Sequence, residues 1–101
     1  MAQKKRLDPD WPFLDPKNVA VYTTSDIMNR CKPILRVTHD ADDGAWQFHI
    51  GKRVSTKDGK MLALSTIVKI DPSILELADL PEGWIAERES PKDPWRRFKY
   101  H

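Results

Sequence analysis

His39-Asp-Ala-Asp-Asp-Gly-Ala-Trp-Gln-Phe-His-Ile-Gly51 is the stretch on which the fold turns. Asp40, Asp42, Asp43 and Gly44 form a polar cluster of the kind that builds turns. Trp46, Phe48 and Ile50 then alternate with Gln47 and His49 at the two-residue period of a half-buried strand. Upstream, Ile34-Leu-Arg-Val-Thr-His39 is β-branched and alternating, so the two segments are expected to pair antiparallel across the turn. Gln47 and His49 then face solvent, opposite the aromatic row.

Working outward, Val19-Ala-Val-Tyr-Thr-Thr24 reads as another strand. Thr24 or Ser25 is placed to cap a short helix, Asp26 to Cys31, which Pro33 prevents from continuing. Asp58-Gly59, flanked by Arg53-Val-Ser55 and Met61-Leu-Ala63, predicts a hairpin or an ordered excursion. Ser65 or Thr66 would start a helical turn reaching Ile70. Asp71-Pro72 pairs an N-cap with a proline at the first helical position, launching Ser73 to Asp79 with Ile74, Leu75, Leu77 and Ala78 buried. After Leu80-Pro-Glu-Gly83, Trp84-Ile-Ala-Glu-Arg88 alternates as a strand with Trp84, Ala86 and Arg88 on one side. The fold class is α+β: one small domain, a mostly antiparallel sheet with short helices on one face. Pro9, Pro12 and Pro16 exclude regular structure from residues 1–17, an extended arm whose Trp11, Phe13 and Leu14 dock on the body while the first seven residues are expected to be disordered. The body runs over 18–101, with a Pro/Arg-rich tail from about residue 90.

At 101 residues the chain has room for a single modest core, and 40% hydrophobic content with 32% charged residues excludes a disordered chain. The basic start, Met-Ala-Gln-Lys-Lys-Arg, is followed by Leu-Asp-Pro-Asp-Trp-Pro, where a signal peptide would need an apolar run, and no segment is long and apolar enough to span a membrane. The lone Cys31 fits a reducing compartment, so the expected location is cytoplasmic. A net charge of +2, with basic residues at the two ends, argues against nucleic acid as the main partner.

No complete catalytic, metal or nucleotide motif is present, and neither enzyme activity nor a cofactor is expected. A calcium loop starting at Asp40 would place Ala45 and Gly51 where glycine and a bidentate glutamate belong. His39 and His49 flank the turn, but solvent-facing roles account for them better than a metal or acid/base pair. Cys31 lacks the surroundings of a reactive thiol and reads as a small buried hydrophobe. Each tryptophan is core or contact surface, and Trp95, among prolines after the last strand, is the best candidate for contact.

Three ordered segments carry a family resemblance: Asp42-Asp-Gly-Ala-Trp-Gln-Phe-His-Ile-Gly51, Leu64-Ser-Thr-Ile-Val-Lys-Ile-Asp-Pro-Ser-Ile-Leu75, and Gly83-Trp-Ile-Ala-Glu-Arg88. Over residues 19–89 the chain resembles a small bacterial domain first described as of unknown function and later grouped with immunity proteins of polymorphic toxin systems. It differs in a basic 51–60 stretch and in the Trp95-Arg-Arg tail. The resemblance implies neutralisation of a cognate protein toxin by surface contact, with Asp40, Asp42, Asp43, Arg88 and Trp95 as the candidate partner-binding residues. The slightly basic chain suits a neutral or acidic toxin. The competing readings are a stand-alone interaction or regulatory module, and a weak nucleic-acid binder working through the basic ends with Trp95 as a stacking platform.

Overall fold

The computed structural model describes residues 10–51 and 59–100. Six strands form one mixed sheet: β1 Ala20–Thr24, β2 Arg36–His39, β3 Trp46–His49, β4 Gly59–Ala63, β5 Trp84–Glu87 and β6 Arg96–Lys99. Their order is β4-β1-β3-β2-β5-β6, and only β1 and β3 run parallel. Helices α1 (Ser25–Met28) and α2 (Leu64–Ile70), with a 3₁₀ helix at Pro72–Leu77, cover one face of the sheet. This is the α+β class that the alternation and cap signals indicate.

Alternation decides which side chains meet the helices. Val37, Phe48 and Ala86 are cross-strand partners, and with Val21 they pack on Ile27, Leu64, Ile67, Ile74, Leu77 and Leu80 in a single core. The β2–β3 hairpin closes as expected. The Asp40 N–H donates to the Ala45 carbonyl, the Gly44 N–H donates to the Asp40 carbonyl, and the Asp43 side chain accepts from the Ala45 N–H. Gly44 has φ 71°, in the left-handed region where glycine carries no Cβ penalty, so glycine is favoured there.

Several elements depart from expectation, each for a local reason. Thr24 caps α1 through the Ile27 N–H, but the helix stops at Met28. Arg30 takes the left-handed φ of 60°, while the Cys31 and Lys32 N–H groups double back to the Asp26 carbonyl. That reversal turns Cys31 outward, so it is exposed rather than buried. Helix α2 begins at Leu64, straight out of β4, without a Ser or Thr cap. Its first N–H groups are taken by the Val19 and Lys17 carbonyls, which do the work of a capping side chain. Asp71 does cap the next turn, through the Ser73 N–H, although that turn is 3₁₀ and ends at Leu77.

Met61, Leu62 and Ala63 belong to β4, whose ladder partner is β1. Residues 53–58 of the expected hairpin, and the expected disorder of the first seven residues, lie outside the described residues. The arm docks through Trp11 and buried Phe13, whereas Leu14 is fully exposed. The tail from residue 90 is not a free tail, because Arg96–Lys99 add the edge strand β6 to β5. No helix among the described residues is long and apolar enough to cross a membrane.

Candidate functional site

The face of the sheet turned away from the helices carries the site. The cross-strand registers align Met61, Tyr22, Gln47, Thr38, Ile85 and Phe98, one residue from each strand, in a single row from β4 to β6. At the usual spacing of neighbouring strands the row is roughly 24 Å long. Tyr22, Met61, Phe98 and Tyr100 are each 40% or more exposed. Next to this row runs a polar one, His49, Arg36, Glu87 and Arg96. No described helix covers this face.

A cleft of about 510 Å³ opens on it. Arg36, Thr38, Gln47, His49 and Ile85 contribute from the strands, Asp40 and Asp42 from the β2–β3 turn, and Trp84 and Tyr100 close the far side. Asp40 organises the polar wall. Its Oδ1 accepts from the Thr38 hydroxyl at 3.2 Å and its Oδ2 from Gln47 Nε2 at 2.6 Å. With the Gln47 amide so oriented, Gln47 Oε1 faces His49 Nε2 at 2.9 Å, and Nε2 must carry the proton. His49 Nδ1 is left as a bare lone pair, buried and without a partner among the described residues.

This arrangement favours the neutral imidazole. Burial lowers the His49 pKa below its ordinary value and the Arg36 cation lowers it further, against a smaller upward pull from Asp40. Protonation would place an N–H at Nδ1 with nothing to accept it. Because the folded-state pKa lies below the unfolded one, the native state binds fewer protons in this range. Stability is full above about pH 6.5, the unfolded value, and is lost as the pH falls toward the lower folded value. Subtracting the urea-unfolding pH profile of His49→Gln from that of the unaltered chain should isolate this loss on the acid side. A flat difference would show that His49 is not held neutral by the fold.

The structure separates the residues singled out from sequence. Asp40 and Asp42 line the cleft, while Asp43 is spent on the turn backbone and does not. Arg88 is corrected outright: it is 5% exposed on the helix side, donating to the Ile34 carbonyl, Ser73 Oγ and Asp71. A side chain so consumed offers nothing to a partner. Trp95 is half-buried, its ring centroid 4.1 Å from the Arg88 guanidinium, so it pins the start of β6 instead of standing free.

The histidines are also corrected. His49, expected to face solvent, is buried beneath the polar network. His39 donates from Nδ1 to the Leu80 carbonyl and stacks on Trp46 at 3.9 Å. Sequence reasoning missed Tyr22, Met61, Phe98 and Tyr100. Each is out of phase with the core positions Val21 and Ala86, but that phase appears only once the strand registers are known.

Comparison with known proteins adds no family: no family model, curated protein or solved structure matches the chain.

Proposed function

We propose that this chain acts by binding a protein partner across the open face of its sheet, without chemistry of its own. The form of that task is immunity-type neutralisation of a cognate toxin, as the segment resemblance implies. One observation carries the reading. Four of the five exposed large apolar side chains among the described residues, Tyr22, Met61, Phe98 and Tyr100, lie on that one face beside a concave polar cleft. Tyr, Phe and Met are enriched in protein interfaces, Tyr is among the types that carry most contact energy, and Tyr100 itself lines the cleft. The cleft's carboxylates, Asp40 and Asp42, disfavour a phosphate backbone there, and its one cation, Arg36, is already paired with Glu87.

The test is affinity capture from native-host lysate, with mass spectrometry, using the unaltered chain and the double variant Tyr22→Ser/Met61→Ser. Both side chains are exposed, so folding should survive the change. A single stoichiometric partner with a toxin-like catalytic domain is expected. The double variant should hold it roughly thirtyfold more weakly, as for the loss of about 2 kcal/mol at a contact anchor. Recovery of nothing, or only of nucleic acid that salt removes, would overturn the reading. A stoichiometric partner without a catalytic domain would favour a regulatory module instead.

A further inference from the structure

The edge strand β6 is where the open face ends, and its backbone phase is set by hydrogen bonds already in place. The Tyr100 N–H donates to the Gly83 carbonyl, and the Arg88 N–H donates to the Leu35 carbonyl on the opposite side of β5. With Phe98 opposite Ile85 and Arg96 opposite Glu87, the Arg96, Phe98 and Tyr100 backbones point into the sheet. The N–H and C=O groups of Arg97 and Lys99 therefore point outward. All four residues of β6 are exposed.

We infer that β6 is a docking edge for an extended, acidic segment of a protein partner, which adds to the sheet as a seventh strand. The proposal rests on the reading that this chain works by binding protein, and it names how the partner engages. Three observations support it. The outward N–H and C=O row is free among the described residues, and main-chain pairing to such a row is a recurrent recognition mode.

Charge selects the occupant. Arg97 and Lys99 alternate with Phe98, so a strand laid alongside would meet two cations on one face and an aromatic ring on the other. Lys99 has no ion-pair partner among the described residues. Arg97 is held by Asp79 and the Glu76 carbonyl, and Arg96 by Glu89, through exposed contacts that a competing carboxylate can replace at small cost. The matching segment alternates acidic and apolar residues: acids opposite Arg97 and Lys99, and an apolar side chain opposite Phe98 that lengthens the row running back to Met61.

The same charges disfavour a second copy of this chain as the occupant. Antiparallel self-pairing of β6 would set Arg97 and Lys99 against their equivalents, and like charges directly opposite are destabilising. Continuity is the third support, because Phe98 and Tyr100 belong both to β6 and to the exposed apolar set of the open face.

The probes are the capped peptide Glu-Val-Glu-Val-Glu, its lysine counterpart Lys-Val-Lys-Val-Lys, and single-stranded oligothymidylate, each titrated into the isotope-labelled full chain with amide shifts and hydrogen exchange as readouts. The acidic peptide is expected to bind with a Kd of about 0.1–1 mM, the range of a few added hydrogen bonds and charge contacts. It should slow exchange at the Arg97 and Lys99 amides in particular, with at least a tenfold preference over the lysine peptide.

Lys99→Pro removes an outward N–H while leaving the Phe98 and Tyr100 bonds to β5, and should abolish binding. Lys99→Ala keeps the N–H and should retain slowed exchange at reduced affinity. Arg97→Glu/Lys99→Glu, in which the backbone is untouched, should invert the peptide preference. Equal response to both peptides, shifts confined to side chains with no exchange protection, tighter binding of the oligonucleotide, or protection that grows with protein concentration alone would each overturn the proposal. If Tyr22→Ser/Met61→Ser weakens partner capture while Lys99→Pro does not, the edge proposal fails and the open-face reading stands. If no partner is captured, the peptide titration still decides the edge.

Discussion

Replacing Arg88 with methionine should destabilise the protein by about 3–5 kcal/mol, the cost of breaking a buried ion pair from one side. The loss has several sources, and each is visible in the contacts. Arg88 Nε and Nη2 donate to the Ile34 carbonyl at 3.0 and 2.9 Å, Nη2 reaches Asp71 Oδ2 at 2.7 Å, and Nη1 reaches Ser73 Oγ at 2.9 Å. One guanidinium thus ties the entry to β2, the cap of the 3₁₀ helix and, through its stacked face, Trp95 at the entry to β6. Methionine fills much of the same volume but leaves the Ile34 carbonyl and the Asp71 carboxylate without their donors. Urea unfolding of Arg88→Met and of Arg88→Met/Asp71→Asn measures the effect. The double variant should recover part of the loss, because it no longer leaves a carboxylate uncompensated. A change below about 1 kcal/mol in the single variant would mean that Arg88 behaves as a surface charge.

Trp46→Leu should cost about 3–4 kcal/mol, in the range of large core truncations, and should also release the arm. The indole ring stacks against His39 at 3.9 Å and meets Phe13 edge-on at 5.4 Å. Its Nε1 donates to Asp15 Oδ2 at 2.7 Å. Leucine keeps an apolar residue on the core side of β3 but gives up both ring contacts and the arm's hydrogen bond. Trp46→Phe separates the terms: it keeps most of the ring and should lose only about 1.5–3 kcal/mol, the worth of a hydrogen bond to a charged acceptor. Tryptic cleavage after Lys17 reads the release of the arm and should accelerate in both variants. Global loss of stability with unchanged cleavage at Lys17 would show that the arm is held by the packing of Trp11 and Phe13 without the Trp46 hydrogen bond.

These two side chains also mark how far the sequence could be read. The β2–β3 hairpin, the Thr24 and Asp71 caps and the Trp84 strand were legible because their signals are local: alternation at period two, a side-chain oxygen before a helical turn, a proline at its first position. What was not legible depends on pairing across the chain. Arg88 follows an alternating strand and reads as a surface charge; only the register of β5 on β2, with the 3₁₀ helix packed above, makes it a buried hub.

His49 reads as solvent-facing by alternation, and it does point away from the core, but Gln47, Asp40 and Arg36 crowd over it. The open-face row could not be read at all, since Met61, Tyr22 and Phe98 are distant in sequence and come into line only through the strand order. Of the contact residues suggested by sequence, Asp40 and Asp42 share the cleft, while Arg88 and Trp95 meet each other on the opposite side of the sheet.

The strand order carries a consequence for how the chain reaches this structure. β2–β3 and β5–β6 are hairpins closed by short connections, so each can form on the microsecond timescale of local pairing. The sheet is complete only when β2 meets β5, with Arg36 opposite Glu87, and when β1 slots beside β3 in parallel. Those seams join segments far apart along the chain, and the entropy of closing such loops must be met before their contacts repay it. Refolding is therefore expected to be governed by the docking of preformed hairpins. The β2–β5 seam, to which Arg88 contributes from its end, is the joint between the two hairpins, so it forms only once both of its strands are in place.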